Sequence, residues 1–130
     1  RVYLEDTDAQ GVVYNASYFR FMERARTEWL RSRGVDHGDL RREHGVQLVL
    51  TRAEAEFRAP ARLSDLLDVI ARVDEARGAR VVFGHEIRRA RAGTQDGELI
   101  CRGVAEVACV DVEQGRPRRL PAALLNGMGT

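Results

Sequence analysis

The chain contains no lysine: all 21 of its basic residues are arginine. A lysine Schiff base and a P-loop phosphate clamp are therefore excluded; the absence itself reads as coding bias rather than function. Strong charge of one sign is also missing. Twenty acidic residues leave a formal net charge of +1, and the two signs interleave along the chain, so nothing calls for a polyanionic partner. Cysteine is scarce, with only Cys101 and Cys109. They lie on a stretch that reads as strand, where about 3.3 Å per residue separates their Cα atoms by roughly 26 Å. A disulfide needs less than about 7 Å, so small buried thiols in a reducing compartment are expected. No apolar run approaches the ~20 residues of a membrane span, and no signal-peptide pattern opens the chain. A cytoplasmic protein without a membrane span is the expectation. Arg1 stands in a pattern already under way, which reads as a trimmed start.

Several catalytic patterns are missing too. No Gly-x-Ser-x-Gly elbow and no Gly-x-Gly-x-x-Gly loop occurs. The two cysteines and three histidines have no metal-ligand spacing. Neither a basic face nor interleaved stacking aromatics suggests nucleic-acid binding. No metal, cofactor or nucleic-acid partner is expected.

What is present fits one domain over residues 1–130. Residues 1–5 read as the end of a strand, followed by a turn-forming stretch from Asp6 to Gly11. Asn15 is a favoured N-cap residue, and a helical pattern runs from it to about Arg33, with Gly34 as the stop. Tyr18, Met22, Ala25 and Trp29 form its apolar stripe, with Glu23, Glu28, Arg20, Arg24 and Arg26 on the other faces. A short helix or loop containing His37 and His44 follows. From Gly45 the period changes to two: Val49, Thr51, Ala53, Ala55 and Phe57 alternate with charged residues up to Ala59-Pro60-Ala61. A second strand runs from Leu67 to Asp74. Ala76-Arg77-Gly78 reads as a hairpin into Val81–Ile87. A turn at 92–97 leads to a last strand near Leu99–Val112. Residues 116–120 extend that edge, and 121–125 form a terminal helical turn. The order implies an α+β fold, a long helix over an antiparallel sheet of about five strands. One helix cannot cover such a sheet, so a homo-oligomer is expected.

The densest group of reactive residues is Glu5-Asp6-Thr7-Asp8, just ahead of the long helix. A carboxylate there has two readings. It is a turn residue satisfying backbone N–H groups, or it acts on an acyl group whose carbonyl sits at the N–H groups near Asn15–Ser17. A calcium loop is rejected, because its twelfth position is Ser17 where a bidentate Glu is required. His85 lies on the apolar parity of its strand and reads as a hydrogen-bonded core or interface residue before it reads as a base. Arg88, Arg89 and Arg91, and Arg116, Arg118 and Arg119, read as solvated strand ends, with phosphate binding as the alternative.

The run from Tyr3 through Glu5-Asp6-Thr7-Asp8 and Gly11-Val12-Val13-Tyr14-Asn15-Ala16 to Tyr18, followed by Glu23-Arg24-Ala25-Arg26-Thr27-Glu28, resembles the hotdog-fold acyl-CoA thioesterases. More narrowly, it is similar to the 4-hydroxybenzoyl-CoA thioesterase group and its Tol-Pal-associated branch. Phe57–Leu63 and Pro117–Pro121 support this, so the resemblance covers nearly the whole chain. It implies a long helix wrapped by a sheet, a homodimer or, where dimers pair as they often do in this family, a homotetramer, and active sites between subunits. Asp8 then matches the catalytic aspartate, and Asn15 the residue whose backbone N–H polarises the thioester carbonyl. Gly11, Val12, Val13 and Tyr14 would line the acyl pocket. Many members of that branch carry His where this chain has Asn15, so only the backbone role transfers. The implied activity is hydrolysis of an acyl-CoA thioester, with Asp8 as nucleophile or general base. The alternative is a domain that binds acyl-CoA or acyl carrier protein without turnover. Hydratase chemistry would need a His paired with a carboxylate, and no such pairing is evident.

Overall fold

The computed structural model describes residues 1–91 and 96–128. Helix α1 (Asn15–Ser32) buries Ser17, Tyr18, Phe21, Met22, Arg26 and Leu30. The row 18, 22, 26, 30 has the spacing of one helix face. Arg26 therefore lies on the buried face, not on the solvent side that its charge suggested, while Ala25 and Trp29 are only half-buried. The helix ends as its sequence dictates. Gly34 adopts φ +77°, the Gly34 N–H donates to Arg31 O at 3.0 Å, and the Val35 N–H donates to Leu30 O at 2.9 Å, a Schellman closure. Asn15 is the first helical residue rather than the cap. Tyr14 occupies the cap position, with extended backbone and no side-chain capping bond.

A short helix α2 (His37–Asp39), capped by the Asp36 carboxylate, runs into a wide helical turn over Leu40–His44. Four strands follow: β1 (Val46–Phe57), β2 (Leu67–Arg77), β3 (Arg80–Arg89) and β4 (Leu99–Asp111). They form one antiparallel sheet in the order β1-β4-β3-β2. The sequence predicts about five strands; among the described residues the structure has four. Residues 1–5 are not a strand, because the Asp6 carboxylate takes the Tyr3 N–H at 2.9 Å and closes a 3-10 turn over Leu4–Asp6. Only single bridges remain there, Thr7 to Val13 and Val12 to Arg62. The expected turn at 92–97 lies largely outside the described residues. Residues 116–120 fold back on β4 through the Arg118 N–H to Cys109 O (2.8 Å) and reach the β2–β3 turn through the Leu120 N–H to Gly78 O (2.9 Å). Helix α3 (Ala122–Met128) closes the chain.

The alternation expected in β1 breaks at a bulge between Leu50 and Arg52. Before it, Leu48 and Leu50 stand opposite Cys109 and Val107; after it, Ala53, Ala55 and Phe57 stand opposite Ala105, Gly103 and Cys101. The inward parity thus moves from even to odd positions. Two apolar clusters fill the space under α1. One gathers Leu30, Val35, Leu40, Phe83, Val107 and Leu124 around the helix C-terminal half. The other gathers Val13, Tyr18, Phe21, Met22, Ile87 and Ile100 around its N-terminal half. Gly103 permits the closest approach, since a Cβ there would lie 2.6 Å from the Met22 Sδ and Cε atoms. Both cysteines are buried and free, and burial pushes the Cys101 thiol up to about 11.

Candidate active site

The turn ahead of α1 is built on two aspartates with different tasks. Asp6 is buried. Its carboxylate accepts from the Tyr3 N–H and from Arg20 at 3.2 Å, while its backbone carbonyl accepts from the Tyr14 N–H (2.9 Å) and the Ser17 hydroxyl (3.3 Å). Asp6 thereby fastens the N-terminal segment to the first turn of the helix. Asp8 is only half-buried. Its Oδ1 accepts the Gln10 N–H at 2.8 Å, and its carbonyl accepts the Gly11 N–H at 3.0 Å. Gly11 closes this turn at φ +81°, a conformation glycine adopts without strain. The Asp8 N–H in turn donates to Val12 O at 2.9 Å, so the carboxylate turn is bonded to the strand-like pair Val12-Val13.

That pair leads into the helix start. The Tyr14 N–H is used by Asp6, and the Ser17 N–H by Tyr14 O. The N–H groups of Asn15 and Ala16 have no partner among the described residues, as helix geometry requires of a first turn. A groove of about 270 Å³ opens beside them, lined by Val12, Val13, Asn15, Tyr18, Phe57 and Arg58, with Ala59 and Pro60 at its rim. Tyr18 and Phe57 pack at 5.6 Å between ring centroids. The Tyr18 hydroxyl accepts the Ala61 N–H at 3.3 Å, and burial raises its pKa. Of the residues expected around the site, the groove brings together Val12, Val13 and Asn15. Asp8 stands on the turn bonded to Val12. Gly11 and Tyr14 are exposed and do not line the groove of the single chain.

Tyr18, Phe57 and Arg58 were not among the expected site residues. Their signal is faint, because a helical tyrosine and a strand ending in Phe-Arg-Ala-Pro look like ordinary core and edge. The phosphate-binding alternative for Arg88 and Arg89 weakens. Arg88 binds Glu86 and Gly97 O, and Arg89 binds Asp65, Glu98 and Pro60 O. His85 is fully buried. Its Nδ1–H donates to Ile70 O at 3.1 Å, and its Nε2 faces the Arg26 guanidinium at 3.2 Å. Arginine can only donate, so the Nε2 lone pair must accept, which fixes the neutral Nδ1–H tautomer. Burial, with Arg26 and Arg72 nearby, pushes its pKa down to about 4. No cluster among the described residues could hold a metal ion, and no helix among them is long and apolar enough to cross a membrane.

One long helix lying across an antiparallel sheet, with a carboxylate turn at its start, defines the hotdog class. Residues 2–128 match the thioesterase-like superfamily, and the chain belongs to that family. It is 41% identical over 125 residues to the acyl-CoA thioester hydrolase YbgC of Escherichia coli O6:H1, covering 96% of this chain and 89% of that protein. It is 37% identical to the acyl-CoA thioesterase YbgC of Haemophilus influenzae, covering 93% and 85% respectively. The crystal structure of a 1,4-dihydroxy-2-naphthoyl-CoA thioesterase from Synechocystis superposes with a TM-score of 0.87 at 26% identity, over 98% of this chain and 90% of that one.

Proposed function

We propose that this chain hydrolyses acyl-CoA thioesters to the free acid and CoA, with the thioester carbonyl seated at the start of α1 and Asp8 acting on it. The observation that carries this reading is the pair of unpartnered N–H groups, Asn15 and Ala16, beside an apolar groove whose wall is bonded to the Asp8 turn. As the carbonyl carbon turns tetrahedral, its oxygen gathers negative charge, which fixed backbone donors and the positive helix end stabilise. Asp8 Oδ1 is held by Gln10, and Oδ2 has no partner among the described residues. Two routes follow from that free oxygen. It attacks the carbonyl carbon, expels the CoA thiolate and leaves a mixed anhydride that water cleaves, or it takes a proton from the attacking water. Curated relatives named as acyl-CoA thioester hydrolases support the substrate class.

The strand β1 forms a free edge of the sheet, with Leu50 and Phe57 about half exposed at 53% and 47%. Such an edge calls for a partner. A second copy pairing antiparallel on β1 would join the two sheets and give the expected homodimer. Centred near Ala53, the pairing sets each copy's Arg52 against the other's Glu54, charges that already attract within one chain.

The test is release of free thiol from a panel of acyl-CoAs and acylated carrier protein. Turnover on at least one donor, lost in Asp8→Asn, is expected. Saturable binding with no thiol release from any donor would replace the hydrolase with a binding module.

A further inference from the structure

A polar knot ties the first two turns of α1 to the chain ahead of it. Ser17 and Arg20 stand three residues apart on the helix and so share a face. One Arg20 nitrogen, Nη2, donates to the Ser17 hydroxyl at 2.9 Å and to the Asp6 carboxylate at 3.2 Å. Arginine can only donate, so the Ser17 oxygen accepts, and its single proton goes to Asp6 O, 3.3 Å away. That carbonyl also takes the Tyr14 N–H at 2.9 Å, which fills both of its lone pairs. The other carboxylate oxygen of Asp6 holds the Tyr3 N–H. The donor of each bond in the knot is thereby fixed, and Arg20 fixes the first.

Both parts of the reacting site hang on this knot. Tyr14 precedes the open N–H groups of Asn15 and Ala16, and Ser17 follows them. Holding Tyr14 and Ser17 on one carbonyl therefore sets the direction of the two N–H groups between them. On the other side, Thr7 alone separates Asp6 from Asp8. Its N–H and hydroxyl are both spent on Leu4 O, at 3.1 and 2.8 Å, and it bridges to Val13. That link has no slack, so a shift of Asp6 moves the Asp8 carboxylate relative to the N–H groups. Asp6 and Ser17 are each 3% exposed, whereas the Arg20 side chain is 49% exposed. No other cation among the described residues pairs with Asp6. Arg20 belongs to neither apolar cluster and does not line the groove. Its bonds go to the knot.

We propose that Arg20 is a positioning residue for the hydrolysis: acting through Ser17 and Asp6, it holds the open N–H groups and the Asp8 carboxylate in one frame. This rests on the hydrolase reading above and adds to it the side chain that aligns the two reacting parts. A misplacement of about 1 Å between such parts costs about 100-fold in rate, so a small relaxation of the knot is felt in kcat.

The test is a double-mutant cycle on kcat per folded molecule. It uses two donors, an acyl-CoA and the S-acyl pantetheine with the same acyl group. Arg20→Met keeps the aliphatic stem and removes the donors. Ser17→Ala removes the hydroxyl and leaves the Arg20–Asp6 ion pair. Each single variant should lose about tenfold or more in kcat, with KM held within about twofold. The fold-losses should match for the two donors, because pantetheine lacks the nucleotide phosphates that a direct contact would need. The double variant should fall no more than about twofold below the weaker single variant, since both changes cut the same chain of bonds.

Native kcat in folded Arg20→Met, full additivity, or a loss confined to KM overturns the positioning role. So does a loss seen with acyl-CoA and absent with acyl pantetheine, which would make Arg20 a phosphate contact. If Arg20→Met does not fold, Ser17→Ala decides alone, and native kcat in that variant overturns the proposal. A native protein that releases thiol from neither donor, across a panel of acyl groups, instead overturns the hydrolase reading beneath it.

Discussion

The two halves of α1 share apolar burial but are finished differently at their ends. Its C-terminal half is fixed by apolar burial: Leu30, Val35 and Phe83 pack in one cluster, and the helix ends on a satisfied Schellman closure. Its N-terminal half also buries Tyr18, Phe21 and Met22, but its first turn is tied down by polar bonds converging on Asp6 and, among the described residues, leaves two backbone donors unpaired beside a groove. An end proposed to bind an oxyanion must leave N–H groups open. The fold therefore anchors that end through Asp6, nine residues before the helix begins. Apolar burial runs along both halves of the helix, and the donors proposed to act on the substrate are confined to its first turn.

That division can be broken most sharply at Asp8. Asp8→Asn should lower kcat by about 100- to 10,000-fold with little change in melting temperature, as thiol-release kinetics and calorimetry would record. Leu124→Ala should do the reverse. Emptying this fully buried site costs about 2–5 kcal/mol in denaturant titration, with kcat per folded molecule kept near its native value. Asp6→Ala lies between the two. It strands the Tyr3 N–H and frees Arg20, for a loss of about 1–3 kcal/mol, and it loosens the Asp8 turn so that kcat falls as well.

The smallest effect concerns His85, at the junction of the two halves. Its folded value of about 4 lies below the 6.5 of an unperturbed histidine. The unfolded chain therefore binds the extra proton between these values. Its contribution to stability is complete above pH 6.5 and is lost as pH falls toward about 4. Arg26 and Arg72 reinforce the shift and Asp74 opposes it. Stability measured across this window should slope downward with falling pH in the native protein and more weakly in His85→Gln.

Much of this arrangement was legible in the residues. The helix from Asn15, the stop at Gly34 and all four strands follow from periodicity and turn chemistry, which are local. Three features were not. The N-terminal strand fails because Asp6 spends its carboxylate on the Tyr3 N–H, a choice set by burial beneath the helix. The β1 parity shifts at a bulge, whose extra residue leaves no mark in Leu50-Thr51-Arg52. The charge of Arg26 points to solvent, whereas its place in the row 18, 22, 26, 30 turns it inward. For the site, the Asp8 turn and the helix start could be read directly. The walls at Phe57 and Arg58 come from 40 residues further along and meet the helix only in the fold.

The central claim, that a backbone N–H at the start of α1 carries the charge of the reacting carbonyl, is tested most directly by comparing Asn15→Ala with Asn15→Pro. Asn15 is the first helical residue, where proline is well tolerated. Tyr14 before it, at φ −68° and ψ 140°, already has the backbone that a following proline demands. Alanine removes the side chain and keeps the N–H; proline removes the N–H as well. On the same acyl-CoA, Asn15→Ala should retain kcat within a few-fold, and Asn15→Pro should lose about 100-fold or more at an unchanged melting temperature. Equal kcat values for the two folded variants would contradict the account.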